Sequence, residues 1–226
     1  MKRQIISSLA LMALAFSPLS AAFALSLTLN AEAPKTVGPQ STSNPCIIAA
    51  TQCQQDTAVF DFTNFSQKGS VASYNEVSPT YNVSQLTALF PGGAFNVAID
   101  VNTADNLENL TLFEVRIDIG GTNTLIYSYT PGSDPIIGSI SGNGNGYADW
   151  TLRNILISNL GNTTVQFHAV WSGASDGGES FFLVAGTGEN PCTVNCTPEI
   201  PEPSALILLG AGLIVMPFAA RKFSRR

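Results

Sequence analysis

Basic residues are nearly missing from the middle of this chain. Residues 25–198 hold four of them, Lys35, Lys68, Arg116 and Arg153, against fourteen acidic residues, a balance of about −10. A segment this acidic has no electrostatic footprint for a nucleic-acid backbone and is repelled by anionic lipid headgroups. Charge of either sign is also scarce, at 12% of the 226 residues, about half the usual content of a soluble domain. Histidine occurs once, as His168. That excludes multi-histidine metal sites and makes any Ser-His-Asp arrangement depend on one ring. No G-x-S-x-G elbow leads into a helix. No segment before Pro198 sustains a helical period over three turns, and only 81–90 has room for one short helix.

What is present is alternation. Apolar residues recur at every second position in Thr57–Phe62, Phe95–Val101, Leu110–Ile119, Thr124–Tyr129, Trp150–Ile157, Thr163–Trp171 and Ser180–Ala185. Period two with β-branched and aromatic residues reads as half-buried strands. Phe95, Val97, Ile99 and Val101 form one such face. Phe113, Val115, Ile117 and Ile119 form another, and Val165, Phe167, Ala169 and Trp171 a third. Between the runs lies turn chemistry, such as Pro91-Gly92-Gly93, Gly120-Gly121-Thr122-Asn123 and Asn159–Asn162. The Gly120–Asn123 step is short enough for a hairpin. Frequent strands without crossover helices predict an all-β fold, an antiparallel β-sandwich of jelly-roll-like kind. An immunoglobulin-like sandwich is the alternative, but it lacks the Cys…Trp…Cys spacing because no cysteine falls between Cys53 and Cys192.

Both ends stand apart from this domain. Lys2 and Arg3 precede an apolar run at 5–16, and Ala22-Phe23-Ala24 closes it. That is the build of a secretory signal peptide cleaved after Ala24. Secretion through the Sec translocon and signal peptidase follows. The four cysteines, Cys46, Cys53, Cys192 and Cys196, then lie in an oxidising compartment and predict two disulfides. Their spacing favours local loops, Cys46–Cys53 and Cys192–Cys196, with long-range pairing as the alternative. It fits a zinc ribbon poorly. At the other end Ser204–Ala220 carries no charge, and as a transmembrane helix would span about 26 Å. Arg221, Lys222, Arg225 and Arg226 follow and resist translocation, which leaves the sandwich outside the membrane. The expected organisation is a signal peptide over 1–24, an irregular arm with the first strand over 25–56, the sandwich over 57–187 and a stalk over 188–199. A sorting signal fills 200–226.

Pro201-Glu202-Pro203 precedes the apolar segment, and its two prolines hold an extended, helix-incompatible stretch at the membrane face. This tripeptide, the apolar helix and the basic tail, in that order over Ile200–Arg226, resemble the PEP-CTERM sorting signal of bacterial surface proteins. Ile200 stands where the pattern favours valine. The resemblance implies recognition and tail removal by exosortase, a membrane protease-transpeptidase. It also implies passage through the inner membrane of a Gram-negative bacterium to the cell surface or extracellular matrix, in company with exopolysaccharide and biofilm. Pro201, Glu202 and Pro203 would be processed and would do no catalysis.

Chemistry inside the domain is thin. Glu114 and Asp118 share a strand face with Arg116 between them, but residues four apart on a strand lie about 13 Å apart. That is too far for a glycosidase carboxyl pair without help from another strand. Two oxygen-rich loops, Ser141–Asp149 and Asp100–Glu108, would suit a hard cation such as calcium, although turn chemistry accounts for both. No cofactor is expected. Tyr127, Tyr129, Trp150 and Trp171, with Tyr147 nearby, are the candidate sugar contacts, because flat apolar rings suit sugar faces. The expected function is a non-enzymatic surface or matrix protein contacting exopolysaccharide. The alternatives are a secreted polysaccharide or peptide hydrolase and a plain membrane-anchored ectodomain.

Overall fold

A computed structural model describes residues 24–49, 53, 55–64, 73–103, 108–131, 136–140, 142, 144–173 and 178–187. Contacts divide the chain into Met1–Glu189 and Asn190–Arg226, and everything described belongs to the first. The expected signal peptide, stalk, sorting motif, transmembrane helix and basic tail lie outside the described residues, Ala24 excepted. Among the described residues no helix is long and apolar enough to cross a membrane.

Among the described residues strands dominate. In order these are β1 (Leu25–Ser26), β2 (Leu29–Ala31), β3 (Cys46–Ala49), β4 (Thr63–Asn64), β5 (Ser73–Val77), β6 (Tyr81–Asn82), β7 (Ala94–Asp100), β8 (Glu108–Ile119), β9 (Thr122–Tyr129), β10 (Ile136–Ile137), β11 (Trp150–Leu156), β12 (Thr164–Ser172) and β13 (Ser180–Ala185). One helix, α1 (Val83–Leu89), follows β6. It fills the slot the sequence left for it. The Gln85 side chain accepts a 2.8 Å hydrogen bond from the Asn82 backbone N–H at its start, and Val83 and Leu86 are buried.

Two sheets result. The first runs β1-β9-β8-β12-β5, with β10 beside β8 and β6 beside β12; the second runs β2-β11-β7-β13-β3-β4. Most pairings are antiparallel, as expected. The exceptions are β1 with β9 and β3 with β4, both parallel. Both involve two-residue edge strands, where so short a ladder exerts little preference for direction. The predicted hairpin is present: β8 and β9 pair directly from Ile119↔Thr122 outwards. Gly120 and Gly121 turn it at φ 62° and 84°, left-handed values that glycine adopts without steric cost.

The strand faces read from the sequence converge on one core. β12 alternates strictly, with Val165, Phe167, Ala169 and Trp171 all fully buried. Phe167 meets Phe95 of the opposite sheet edge-on at 6.0 Å and Phe113 of its own sheet at 6.3 Å. Phe113 stacks on Phe181 across the core at 5.7 Å. The apolar faces of the two sheets therefore bury each other, the main source of favourable free energy for such a domain.

Three strand readings needed correction. Thr57–Phe62 alternates but is a turn: Asp56 O accepts from the Val59 and Phe60 N–H groups at 3.0 and 3.1 Å. Its Oδ1 takes the Ala58 N–H at 3.0 Å. A short polar side chain bonded to its own backbone outcompetes the ladder there. Ile119 belongs by parity to the β8 core row yet is 52% exposed. β12 pairs with β8 only as far as Ile117, and Asp118 and Thr122 beside it are exposed as well, so the hairpin tip extends past the core. Ile157 starts a 3-10 turn instead of ending β11. Within β11 the register shifts between Leu152 and Ile155, with Asn154 at φ 67°. That bulge lets both apolar residues face the core.

The arm ahead of β3 is more than a leader. β1 joins the first sheet, Leu27 enters the core, and β2 joins the second sheet. Glu32 then accepts from Arg153 Nη2 at 2.5 Å and from the Thr151 hydroxyl. The outer face of the second sheet is covered by a smaller cluster of Cys46, Ala49, Ala98, Ala148, Phe182 and Val184, with Val37, Cys53 and Phe62 against it. β13 is consequently buried on both faces. The expected Cys46–Cys53 disulfide is formed within this cover. Closing so short a loop restricts the unfolded chain modestly. Replacing both cysteines by alanine is expected to lower stability by about 2 kcal/mol, read as the shift in urea midpoint between the variant and the oxidised protein. Cys192 and Cys196 lie outside the described residues.

Candidate functional site

The two sheets differ in what covers their outer faces. The second is sealed by the cluster around Cys46. The first presents polar side chains in a row set by register. Gln166 of β12 lies opposite Arg116 of β8, and His168 opposite Glu114. Asp118 lies opposite Asn123 of β9, and His168 also pairs with Val77 of β5. Directly opposed strand residues share a face, so β9, β8, β12 and β5 together display this row.

Its side chains are linked. Asn75 Oδ1 sits 2.6 Å from His168 Nε2. His168 Nδ1 sits 2.7 Å from Glu114 Oε2, and Arg116 Nη2 donates to the same oxygen at 2.6 Å. Glu114 is thus nearly buried, with 10% of its side chain exposed, while Arg116 keeps 38%. The sequence placed Glu114 on a solvated face, which does not allow for cover by two neighbouring side chains. Beside Arg116 the surface dips into a concavity of about 140 Å³, lined by Thr80, Arg116, Asp118, Asn123, Thr164 and Gln166 among others. Asp118 Oδ1 accepts from the Gly121 N–H at 2.7 Å, and Gln166 Nε2 donates to Ser78 O at 3.1 Å. The Arg116 Nε is enclosed and has no hydrogen-bond partner.

The row does not resemble a hydrolytic centre. Both ring nitrogens of His168 are occupied, by a carboxylate and an amide, and among the described residues no serine, threonine or cysteine is hydrogen-bonded to it. A general base needs a free nitrogen within reach of the proton it takes.

Two further acidic pairs are buried. Glu179 is fully buried, and its Oε2 accepts from the Tyr74 hydroxyl at 2.7 Å. Glu108, also fully buried, accepts from Trp171 Nε1 at 2.7 Å. Burial, then the adjoining Glu108, push the Glu179 carboxyl up to about 10, and burial raises the Tyr74 hydroxyl well above its ordinary range. The second pair joins the two loops read as cation candidates. Asp100 Oδ2 accepts from the Gly146 N–H at 2.8 Å. Asp149 caps the Val101 and Ile140 N–H groups at 2.7 and 2.5 Å. Burial, reinforced by Asp149, lifts Asp100 to about 7. Asp149 is therefore spent on backbone donors, the turn chemistry the sequence also allowed. Among the described residues no group of three or more His, Cys, Asp or Glu side chains gathers to hold a metal ion.

The aromatic sugar contacts need correction. Trp171 is fully buried and Tyr127 and Tyr129 are 3% and 8% exposed, so none offers a ring face to a ligand. Tyr127 uses its hydroxyl on Asn159 and the Leu156 N–H. Trp150 is half-buried and donates to Gly138 O at 2.8 Å. Strand aromatics here are core, which parity along β12 already indicated for Trp171. Sequence reasoning missed the Arg116–Gln166 and Asp118–Asn123 pairs, because only register brings them together.

Comparison with known proteins bears on the C-terminus. A family model, the PEP-CTERM protein-sorting motif, matches residues 199–226. No curated protein and no solved structure matches the chain. The chain therefore carries the sorting motif of an exported, surface-sorted protein handled by exosortase.

Proposed function

We propose that this chain, carrying a PEP-CTERM motif behind an acidic two-sheet domain, is a non-enzymatic component of the cell surface or extracellular matrix associated with exopolysaccharide and biofilm. The matched motif at 199–226 carries the reading. On it, the Sec translocon and signal peptidase release the protein after Ala24. Exosortase then grips the Pro201–Pro203 stretch in the inner membrane of a Gram-negative cell and removes the basic tail. The domain is a jelly-roll-like sandwich that needs no cofactor. Its acidity favours display over adhesion to anionic lipid. The full engagement of His168 by Glu114 and Asn75 favours binding over hydrolysis.

Intact mass of the protein recovered from its producing cells tests the reading. The expected species begins at Leu25 and ends near Pro201–Pro203, with any attached group. The Glu202→Ala variant is expected to accumulate in the membrane fraction with a mass running to Arg226. A wild-type mass running to Arg226 would leave a plain membrane-anchored ectodomain and end the processing proposal.

A further inference from the structure

We propose that the concavity on the open face of the first sheet, centred on Arg116, Asp118, Asn123 and Gln166, binds an uncharged saccharide unit of a polysaccharide chain. The proposal deepens the exopolysaccharide reading above and rests on it.

Three observations carry it. First, register sets two polar pairs side by side, Arg116 with Gln166 and Asp118 with Asn123. Adjacent pairs on one strand face lie about 7 Å apart. Such a row offers donors and acceptors in alternation along one line, which suits vicinal hydroxyl groups that both give and take hydrogen bonds.

Second, the guanidinium is held in place. Asn75, His168 and Glu114 form a chain that fixes one side of Arg116 at 2.6–2.7 Å per link. Its Nε remains enclosed without a partner. The Arg116 side chain nevertheless keeps 38% of its surface exposed and lines the dip, and a pre-positioned donor binds with less entropy to lose. Asp118 and Gln166 are likewise anchored through one atom each, to Gly121 N and Ser78 O. That leaves the other Asp118 oxygen and the Gln166 Oε1 to accept from a ligand.

Third, charge selects the ligand. Arg116 is offset by Glu114 at 2.6 Å, and Asp118 lies in the same lining. A phosphate, sulfate or uronate would meet uncompensated negative charge locally, and a domain of about −10 globally. At about 140 Å³ the dip is small, sized for one ring and not for a folded partner.

The test uses the mature protein and the exopolysaccharide of its producing cells, separated by anion exchange into neutral and acidic fractions. Binding is measured by affinity electrophoresis, with Tm recorded for every variant. Wild type is expected to bind the neutral fraction. Asn123→Ala and Arg116→Gln are each expected to weaken it at least tenfold. Ser84→Ala, in the separate concavity beside α1, is expected to leave it unchanged. Asn123 is exposed, so its variant decides the matter even if Arg116→Gln loses stability. Wild-type binding that survives both groove variants would overturn the site and leave the exopolysaccharide association standing. Binding confined to the acidic fraction would overturn the uncharged ligand. A correctly sorted protein that binds neither fraction would overturn both the groove and the association.

Discussion

Replacing Glu179 by glutamine is expected to stabilise the protein at pH 8 by a few kcal/mol and to flatten its stability above neutral pH. The native carboxyl is held up to about 10 against an ordinary value of 4.5. Between those values the folded protein keeps a proton that the unfolded chain has released. Stability from this group is therefore complete below about pH 4.5 and falls as pH rises towards 10, at about 1.4 kcal/mol per pH unit before relaxation reduces it. Glutamine reproduces the protonated form. Its carbonyl can accept from Tyr74 as Glu179 Oε2 does, and its amide can donate towards Glu108, whose charge is a cause of the shift. Asp100 adds a second decline of the same sign, from its ordinary 3.8 up to about 7. Wild type should thus lose stability across pH 4–9, and Glu179→Gln only across the lower part. Urea unfolding at pH 5, 7 and 9 reads this directly. Parallel curves for the two proteins would show that Glu179 does not keep its proton in the folded state.

Phe167→Ala should produce the largest loss of stability, about 3–5 kcal/mol. The ring has no exposed surface and touches aromatic neighbours on three sides: Phe95 at 6.0 Å, Phe113 at 6.3 Å and Tyr81 at 6.0 Å. Tyr81 in turn stacks on Phe60 at 4.3 Å, so the cavity would open where both sheets and the turn at 57–60 meet. Packed neighbours on opposite sheets collapse poorly into such a void. Against a typical domain stability of about 5–15 kcal/mol, the alanine variant would be close to unfolding. Phe167→Leu fills much of the volume and should cost far less. The ordering is read from denaturant midpoints and Tm. An alanine variant losing under 1 kcal/mol would mean that the two sheets do not pack through this residue.

The difference between these residues and the groove explains what a reader of the sequence could find. Phe167 was legible because side-chain direction alternates along a strand by local stereochemistry. Parity alone sent Val165, Phe167, Ala169 and Trp171 to one face, and all four are in the core. The same rule should have withdrawn Trp171 from the candidate sugar contacts. The hairpin at Gly120-Gly121, the short helix after Asn82 and the Cys46–Cys53 loop were legible for a similar reason, since each depends on residues adjacent in the chain. So was the sorting motif, which is a linear signal at 199–226.

The alternation in Thr57–Phe62 misled because Asp56 could satisfy three backbone N–H groups locally, and pattern alone does not rank a turn against a ladder. Pairings across the sheet were beyond the sequence. Which strand neighbours β8 decides that Arg116 faces Gln166 and that Glu114 is covered by His168. Whether Glu108 meets Glu179 depends on how strands separated by some 70 residues are brought together. Side-chain parity along β12, the tight turn at Gly120-Gly121 and the sorting motif at 199–226 are local or linear properties, and the sequence determined them by itself. Register between distant strands, the burial of charge and the shape of the open face depend on long-range packing. Only the tertiary structure decided those, because a strand's hydrogen-bonding edges accept many partners and the shared core selects among them.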